Sequence, residues 1–93
     1  MDSLEAYFPG NGAWEHFVEA ISPSWESCSI QNELLSSVAG DLGLAKAIHW
    51  NLERESLAWL DRPVKALESE TPRRCLESET GILCLKAALM RMS

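Results

Sequence analysis

The stretch from Trp59 to Gly81, WLDRPVKALESETPRRCLESETG, constrains the backbone more tightly than any other part of this chain. A Trp-Leu pair, a proline, an Ala-Leu pair, a Thr-Pro step and a Glu-Thr-Gly break follow one another within about a quarter of the sequence. Pro63 ends any helix running through Trp59 at or before Arg62, because the residue ahead of a proline is pushed out of the helical region. Val64, Ala66 and Leu67 leave room for a single apolar turn. Thr71-Pro72 is a helix start: the threonine side chain accepts from the free amides, and proline at the first helical position forfeits no hydrogen bond. That helix is short, from Pro72 to about Glu77. Ser78-Glu79-Thr80-Gly81 then opens a last helix, in which Ile82, Leu85, Leu89 and Met92 recur at helical spacing, with Cys84 and Ala88 beside them. The segment predicts a helix–loop–helix–helix unit that presents a surface.

The N-terminal side reads as helical too. Phe8-Pro9-Gly10-Asn11 is a turn. Asn11 or Gly12 then leads into a helix carrying Trp14, Phe17, Val18 and Ile21, which Ser22-Pro23-Ser24 stops. A second helix is expected from about Ser27 or Ser29, with Ile30, Leu34, Leu35 and Val38 on one face, ended by Gly40-Asp41-Leu42-Gly43. A third runs from about Leu44 through Trp50, with Leu44, Ala47, Ile48 and Leu52 inward. The pattern carries on through Ser56 to Leu57 and Leu60, as one bent rod or two helices. No stretch alternates with strand period. The expectation is an all-α fold, a single compact bundle of five or six short helices. Residues 1–58 form an acidic N-terminal region and 59–93 a second helical region of one folded unit.

With 93 residues, a chain buries roughly 60–65% of the surface it would expose unfolded, so a partner or self-association would add useful stability. Four tryptophans and several apolar faces suggest a homodimer. The net charge of −6 is concentrated in front of Trp59, where Asp2, Glu5, Glu15, Glu19, Glu26, Glu33, Asp41, Glu53 and Glu55 face only Lys46 and Arg54. Too few cations remain there to displace counterions from a nucleic acid. Arg62, Lys65, Arg73 and Arg74 form the basic cluster on which an anionic partner could dock; the plainer alternative is a solvated face of mixed charge. The segment Leu34–Leu52 has a helix-turn-helix rhythm, but its would-be recognition helix offers only Lys46, His49 and Asn51, which argues against DNA binding.

Catalytic chemistry finds no foothold. Cys28, Cys75 and Cys84 are odd in number and lack paired spacing, so they predict core thiols rather than a disulfide framework or a zinc site. His16 and His49 stand apart, each at the edge of an apolar face, as partly buried structural histidines do. No nucleophile elbow, phosphate loop or paired-carboxylate spacing occurs. The expectations are no enzyme, no cofactor and no metal. No apolar run is long enough to cross a membrane, and the acidic Met1–Glu5 is unlike a signal peptide, which places the protein in the cytoplasm.

Between Trp59 and Met92 the chain resembles the toxin-binding domain of the MbcA/ParS/Xre antitoxin family. The residues that carry the likeness are Trp59, Leu60, Pro63, Ala66, Leu67, Thr71, Pro72, Leu76, Glu79, Gly81 and Arg91. The resemblance implies an antitoxin that binds a RES-fold, NAD-consuming toxin through its C-terminal helices. On that reading Arg62, Arg73, Arg74, Lys86 and Arg91 supply polar contacts, and Leu89, Met90, Met92 and Ser93 form the edge facing the partner. Trp59, Leu60, Pro63, Leu67, Thr71, Pro72, Leu76 and Gly81 shape the unit. Family members usually carry a glycine between the Ala-Leu and the Thr-Pro, where this chain has Glu68-Ser69-Glu70. They also run on past the final helix, so binding is the firmer expectation and toxin neutralisation the weaker. A second class of function is a stand-alone interaction or inhibitor protein, of the kind phages and mobile elements encode, that turns its acidic face toward a basic protein.

Overall fold

The computed structural model describes residues 8–92. Its helices are α1 (Asn11–Ile21), α2 (Gln31–Ser37), α3 (Leu42–Leu52), α4 (Ser56–Trp59), α5 (Pro72–Cys75) and α6 (Glu79–Met92), with 3-10 turns at Ser22–Ser27, Glu53–Glu55 and Lys65–Leu67. Among the described residues the β pairing is a single isolated antiparallel bridge, Val64 with Glu70. The fold is all-α, as the periodicity predicts.

Pro23 ends α1 without throwing the chain out of helical winding. The backbone tightens into the 3-10 turn, and the serine hydroxyls serve the last carbonyls: Ser22 Oγ donates to Val18 O at 2.7 Å and Ser24 Oγ to Ile21 O at 2.9 Å. The stop expected at Ser22-Pro23-Ser24 is therefore a change of pitch. Helix α2 starts later than expected, at Gln31, because Cys28 is extended (φ −75°, ψ 119°) and Gln31 Nε2 anchors the turn to Trp25 O at 2.7 Å. Its C-terminus closes with the paired bonds Gly40 N–H to Leu35 O (2.8 Å) and Ala39 N–H to Ser36 O (3.4 Å). In this capping motif the residue with left-handed backbone is usually glycine; here it is Ala39, at φ 56°.

Helix α3 begins two residues earlier than expected. Asp41 takes the cap position and its Oδ1 accepts from Leu44 N–H at 3.1 Å, which draws Leu42 and Gly43 into the first turn. Leu44, Ala45, Ala47 and Ile48 are buried to within 1%. The helix is the hub, packed against α1, α2, α4, α6 and the Ser22–Ser27 turn. Of the two arrangements expected from α3 into α4, one bent rod or two helices, the chain forms two: Glu53, with φ of 46° and ψ of −115°, breaks the helix there. Ser56 Oγ donates to Glu53 O at 2.7 Å, so the serine is fully buried yet satisfied.

One buried cluster joins both halves: Trp14, Ile21, Leu34, Val38, Leu44 and Ile48 meet Trp59, Leu60, Leu67, Leu85, Ala88 and Leu89. Asn51 Nδ2 ties the last turn of α3 to that of α6 by donating to Leu89 O at 3.2 Å. A single chain hides more of its aromatic surface than composition alone implies. Trp14 and Trp59 are buried and Trp25 is partly buried against the core, which leaves Leu42, Trp50 and Met92 as the exposed large apolar side chains among the described residues.

Candidate functional site

The Trp59–Gly81 segment closes on itself through backbone bonds. Leu60 O accepts from Arg73 N–H at 3.0 Å, Val64 N–H donates to Glu70 O at 3.0 Å, and Ser69 N–H and Leu67 N–H both reach Val64 O. Trp59, Leu60, Leu67 and Pro72 are buried beneath this loop, Leu76 is half-buried and Pro63 is exposed. Thr71 Oγ1 accepts from Arg74 N–H at 3.2 Å and caps α5, and Ser78 Oγ accepts from Gly81 N–H at 2.9 Å at the start of α6. Helix α5 is a single turn that ends at Cys75, two residues short of the expected Glu77.

Between the Ala-Leu pair and Thr71-Pro72, Glu68 (φ 58°, ψ 38°) and Ser69 (φ 66°) both take left-handed backbone. The turn survives without glycine by accepting steric strain of about 1 kcal/mol per residue. Glu68→Gly is expected to stabilise the protein by about 0.5–1 kcal/mol, the relief exceeding the added unfolded-state entropy. A urea titration that shows a higher midpoint at unchanged slope checks this.

The arginines proposed for partner contact stand at the surface, each paired within the chain. Arg62 reaches Glu55 at 2.9 Å, Arg74 reaches Glu77 at 3.7 Å, and Arg73 grips both Asp61 oxygens at 2.7 and 3.3 Å. Such exposed pairs contribute little to stability and are easily exchanged for a partner's carboxylate. The hydrogen bond from Arg73 holds the Asp61 carboxyl below its ordinary value of 3.8; desolvation opposes it, and the guanidinium charge adds a lesser lowering. A depressed carboxyl pKa contributes stability above the ordinary value and loses it as pH falls through the folded value. In a carboxyl carbon NMR titration Asp61 is expected to titrate below 3.8, and Arg73→Gln is expected to return it to that value; an unchanged midpoint would show the pair does not persist in solution.

Lys86 is not brought to these arginines. Its ammonium lies 5.3 Å from the ring centroid of Trp14, along the cleft that Glu15 and Glu19 also line. Leu89 requires correction: it is 0% exposed and belongs to the core, because α6 turns that face toward α3, so it cannot form a partner-facing edge. Met90 is half-buried, Arg91 is exposed and Met92 is 46% exposed. Ser93 lies outside the described residues.

The helix-turn-helix-like pair is α2 and α3, but α3 sits at the centre of the bundle. Its three polar candidates are engaged by their own chain: Lys46 Nζ donates to Ser22 Oγ at 3.1 Å, His49 meets the Trp25 ring edge-on at 6.0 Å, and Asn51 bonds Ala47 O and Leu89 O. His49 is half-buried as expected, whereas His16 is exposed.

A feature that sequence reasoning missed lies at the C-terminal end of α3. A cleft of about 630 Å³ is lined by Cys28, His49, Trp50, Glu53 and Arg54 together with three serines of the preceding turns. His49 Nδ1 is buried without a hydrogen-bond partner among the described residues, and Trp50 is 46% exposed. The one available sequence signal is Trp50 itself, which falls on the opposite side of α3 from Leu44 and Ile48. Among the described residues no three His, Cys, Asp or Glu side chains are grouped to hold a metal, and no helix is long and apolar enough to cross a membrane. Comparison with known proteins returned no matching family model, no matching curated protein and no matching solved structure.

Proposed function

We propose that this chain is a non-enzymatic protein-binding module of the antitoxin type, acting through its C-terminal helices on a RES-fold, NAD-consuming toxin. The observation that supports the reading is a division of labour in the Trp59–Met92 stretch. Residues of the resembled motif (Trp59, Leu60, Leu67, Pro72, Gly81) are spent on burial and close packing, while Arg62, Arg74, Arg91 and Met92 face outward. A frame held by its own hydrogen bonds can offer exposed cations and a methionine to a partner with little ordering of the backbone. Co-expression with a RES-fold protein encoded beside this one is the test. Copurification and restored growth are expected, and Arg74→Glu with Met92→Asp is expected to weaken the complex at least about tenfold. Absence of both copurification and rescue would overturn the reading.

A second reading draws on the acidic surface, where Glu15, Glu19, Glu26, Glu33, Glu53 and Glu55 are all exposed. Such a face attracts basic protein surfaces and repels nucleic acid. It makes the chain a stand-alone inhibitor of a basic protein, and it predicts complexes that dissolve with added salt and contain no RES-fold enzyme. Self-association into a homodimer is compatible with either reading, and light scattering that finds a monomer at micromolar concentration would remove it. DNA affinity is not expected, and a salt-sensitive mobility shift on promoter DNA would contradict this.

A further inference from the structure

We infer that Cys75 and Cys84 are a vicinal thiol pair that closes into a reversible disulfide across the α5–α6 crossing. Both line one cleft of about 370 Å³ between the Lys65–Leu67 turn and the start of α6. The crossing is unusually close: a Cβ placed on Gly81 would stand 2.9 Å from the Cys75 α-carbon. The α-carbons of Gly81 and Cys75 are therefore within about 4.5 Å of each other. Cys84 follows Gly81 by one helical turn, which puts its Cβ about 5–6 Å from that of residue 81 on the same face. Because Cα–Cβ bonds lean toward the helix N-terminus, the Cys84 side chain reaches back over Gly81 toward Cys75. Both thiols thus open on the same cleft on either side of this close crossing, and closure into a disulfide needs their α-carbons within about 7 Å of each other.

The two thiols have different tasks. Cys84 is partly exposed and Cys75 is buried, so a small-molecule disulfide such as oxidised glutathione meets Cys84 first. Burial, the neighbouring Cys84 thiol and the Glu70 carboxylate all push the Cys75 thiol up, which keeps it protonated and unreactive toward the oxidant. In the first step the Cys84 thiolate attacks one sulfur of oxidised glutathione; a mixed disulfide forms and one glutathione thiolate leaves. In the second, Cys75 gives up its proton to the glutathione thiolate released in the first step, and its sulfur attacks Cys84 Sγ and expels the other glutathione as a thiolate. Two protein thiols are oxidised, one glutathione disulfide is reduced to two thiols, and no other reactant is needed. The cross-link fixes the α5–α6 angle on which the motif unit is built, and it stands independently of the partner's identity.

Treatment of the full chain with oxidised glutathione, followed by alkylation and trypsin, tests the pair. Cleavage after Arg74 and Lys86 leaves both cysteines in one peptide, Cys75–Lys86. The expected product is that peptide two hydrogens lighter and inert to alkylation until reduced. The oxidised chain is expected to melt roughly 5–10 °C higher than the reduced one. Cys75→Ser is expected to halt at the glutathione adduct on Cys84. Wild type that accumulates the same adduct as Cys75→Ser, forms disulfide-linked dimers, or yields only the reduced peptide would overturn the inference.

Discussion

Replacing Gly81 with alanine is expected to cost about 2–3 kcal/mol, a quarter to a half of what holds a domain of this size together. Alanine is the better helix former, so propensity alone would predict a gain of up to about 1 kcal/mol. Packing reverses the sign. A Cβ at this position would lie inside the van der Waals envelope of the Cys75 carbonyl oxygen and 2.9 Å from both the carbonyl carbon and the α-carbon of Cys75. Those atoms are backbone, in a helix whose cap is fixed by Thr71 and whose first amides are committed to Leu60 and Thr71. They cannot swing aside as the end of a flexible side chain would. Relief requires α6 to lift off α5, which opens contacts around Leu67, Cys75 and Leu85. The melting temperature should fall by about 10–20 °C. An unchanged melting temperature would mean that α5 and α6 do not cross at this distance.

Gly81 also marks how far the sequence can be read. Pro63, Thr71-Pro72 and Ser78 act through backbone chemistry that depends on nearest neighbours, so the loop, the α5 start and the α6 start were all legible. The buried faces of α3 and α6 followed from spacing in the same way. What escaped prediction depends on non-local balance. Asp41 outcompetes Gly43 as a boundary because its carboxylate reaches Leu44 N–H, which moves the start of α3 by two residues. Nothing about a glutamate announces a positive φ, so the break at Glu53 and the left-handed pair at Glu68 and Ser69 had no signal in residue type. The cleft beside His49 and Trp50 is assembled from α3 and a turn more than twenty residues earlier in the chain, and only the packing of α1 and α2 brings them together. On α6 the apolar stripe was visible, and spacing favoured core for Leu89 with a more open Met92; placing Leu89 with Met92 at a partner-facing edge was the step that failed, because their exposures differ completely and divide the stripe into core and surface.

That division yields the sharpest separation of fold from binding. Leu89→Ala is expected to destabilise the protein by about 3 kcal/mol, because a fully buried leucine gives up its transfer energy and leaves a cavity that the surrounding helices only partly fill. The bond from Asn51 to the Leu89 carbonyl involves backbone and survives the substitution, so the loss reports side-chain packing between α3 and α6. A fall in melting temperature of more than about 10 °C is expected. Met92→Ala, three residues on and 46% exposed, should stay within about 0.5 kcal/mol of wild type. Binding should sort the two in the opposite order. Measured on folded protein at low temperature, Leu89→Ala should keep wild-type affinity for a partner that docks on the end of α6, whereas Met92→Ala should weaken it. If Leu89→Ala proved as harmless to stability as Met92→Ala, the end of α6 would not be seated on α3, and the outward surface assigned to Arg91 and Met92 would have to be redrawn.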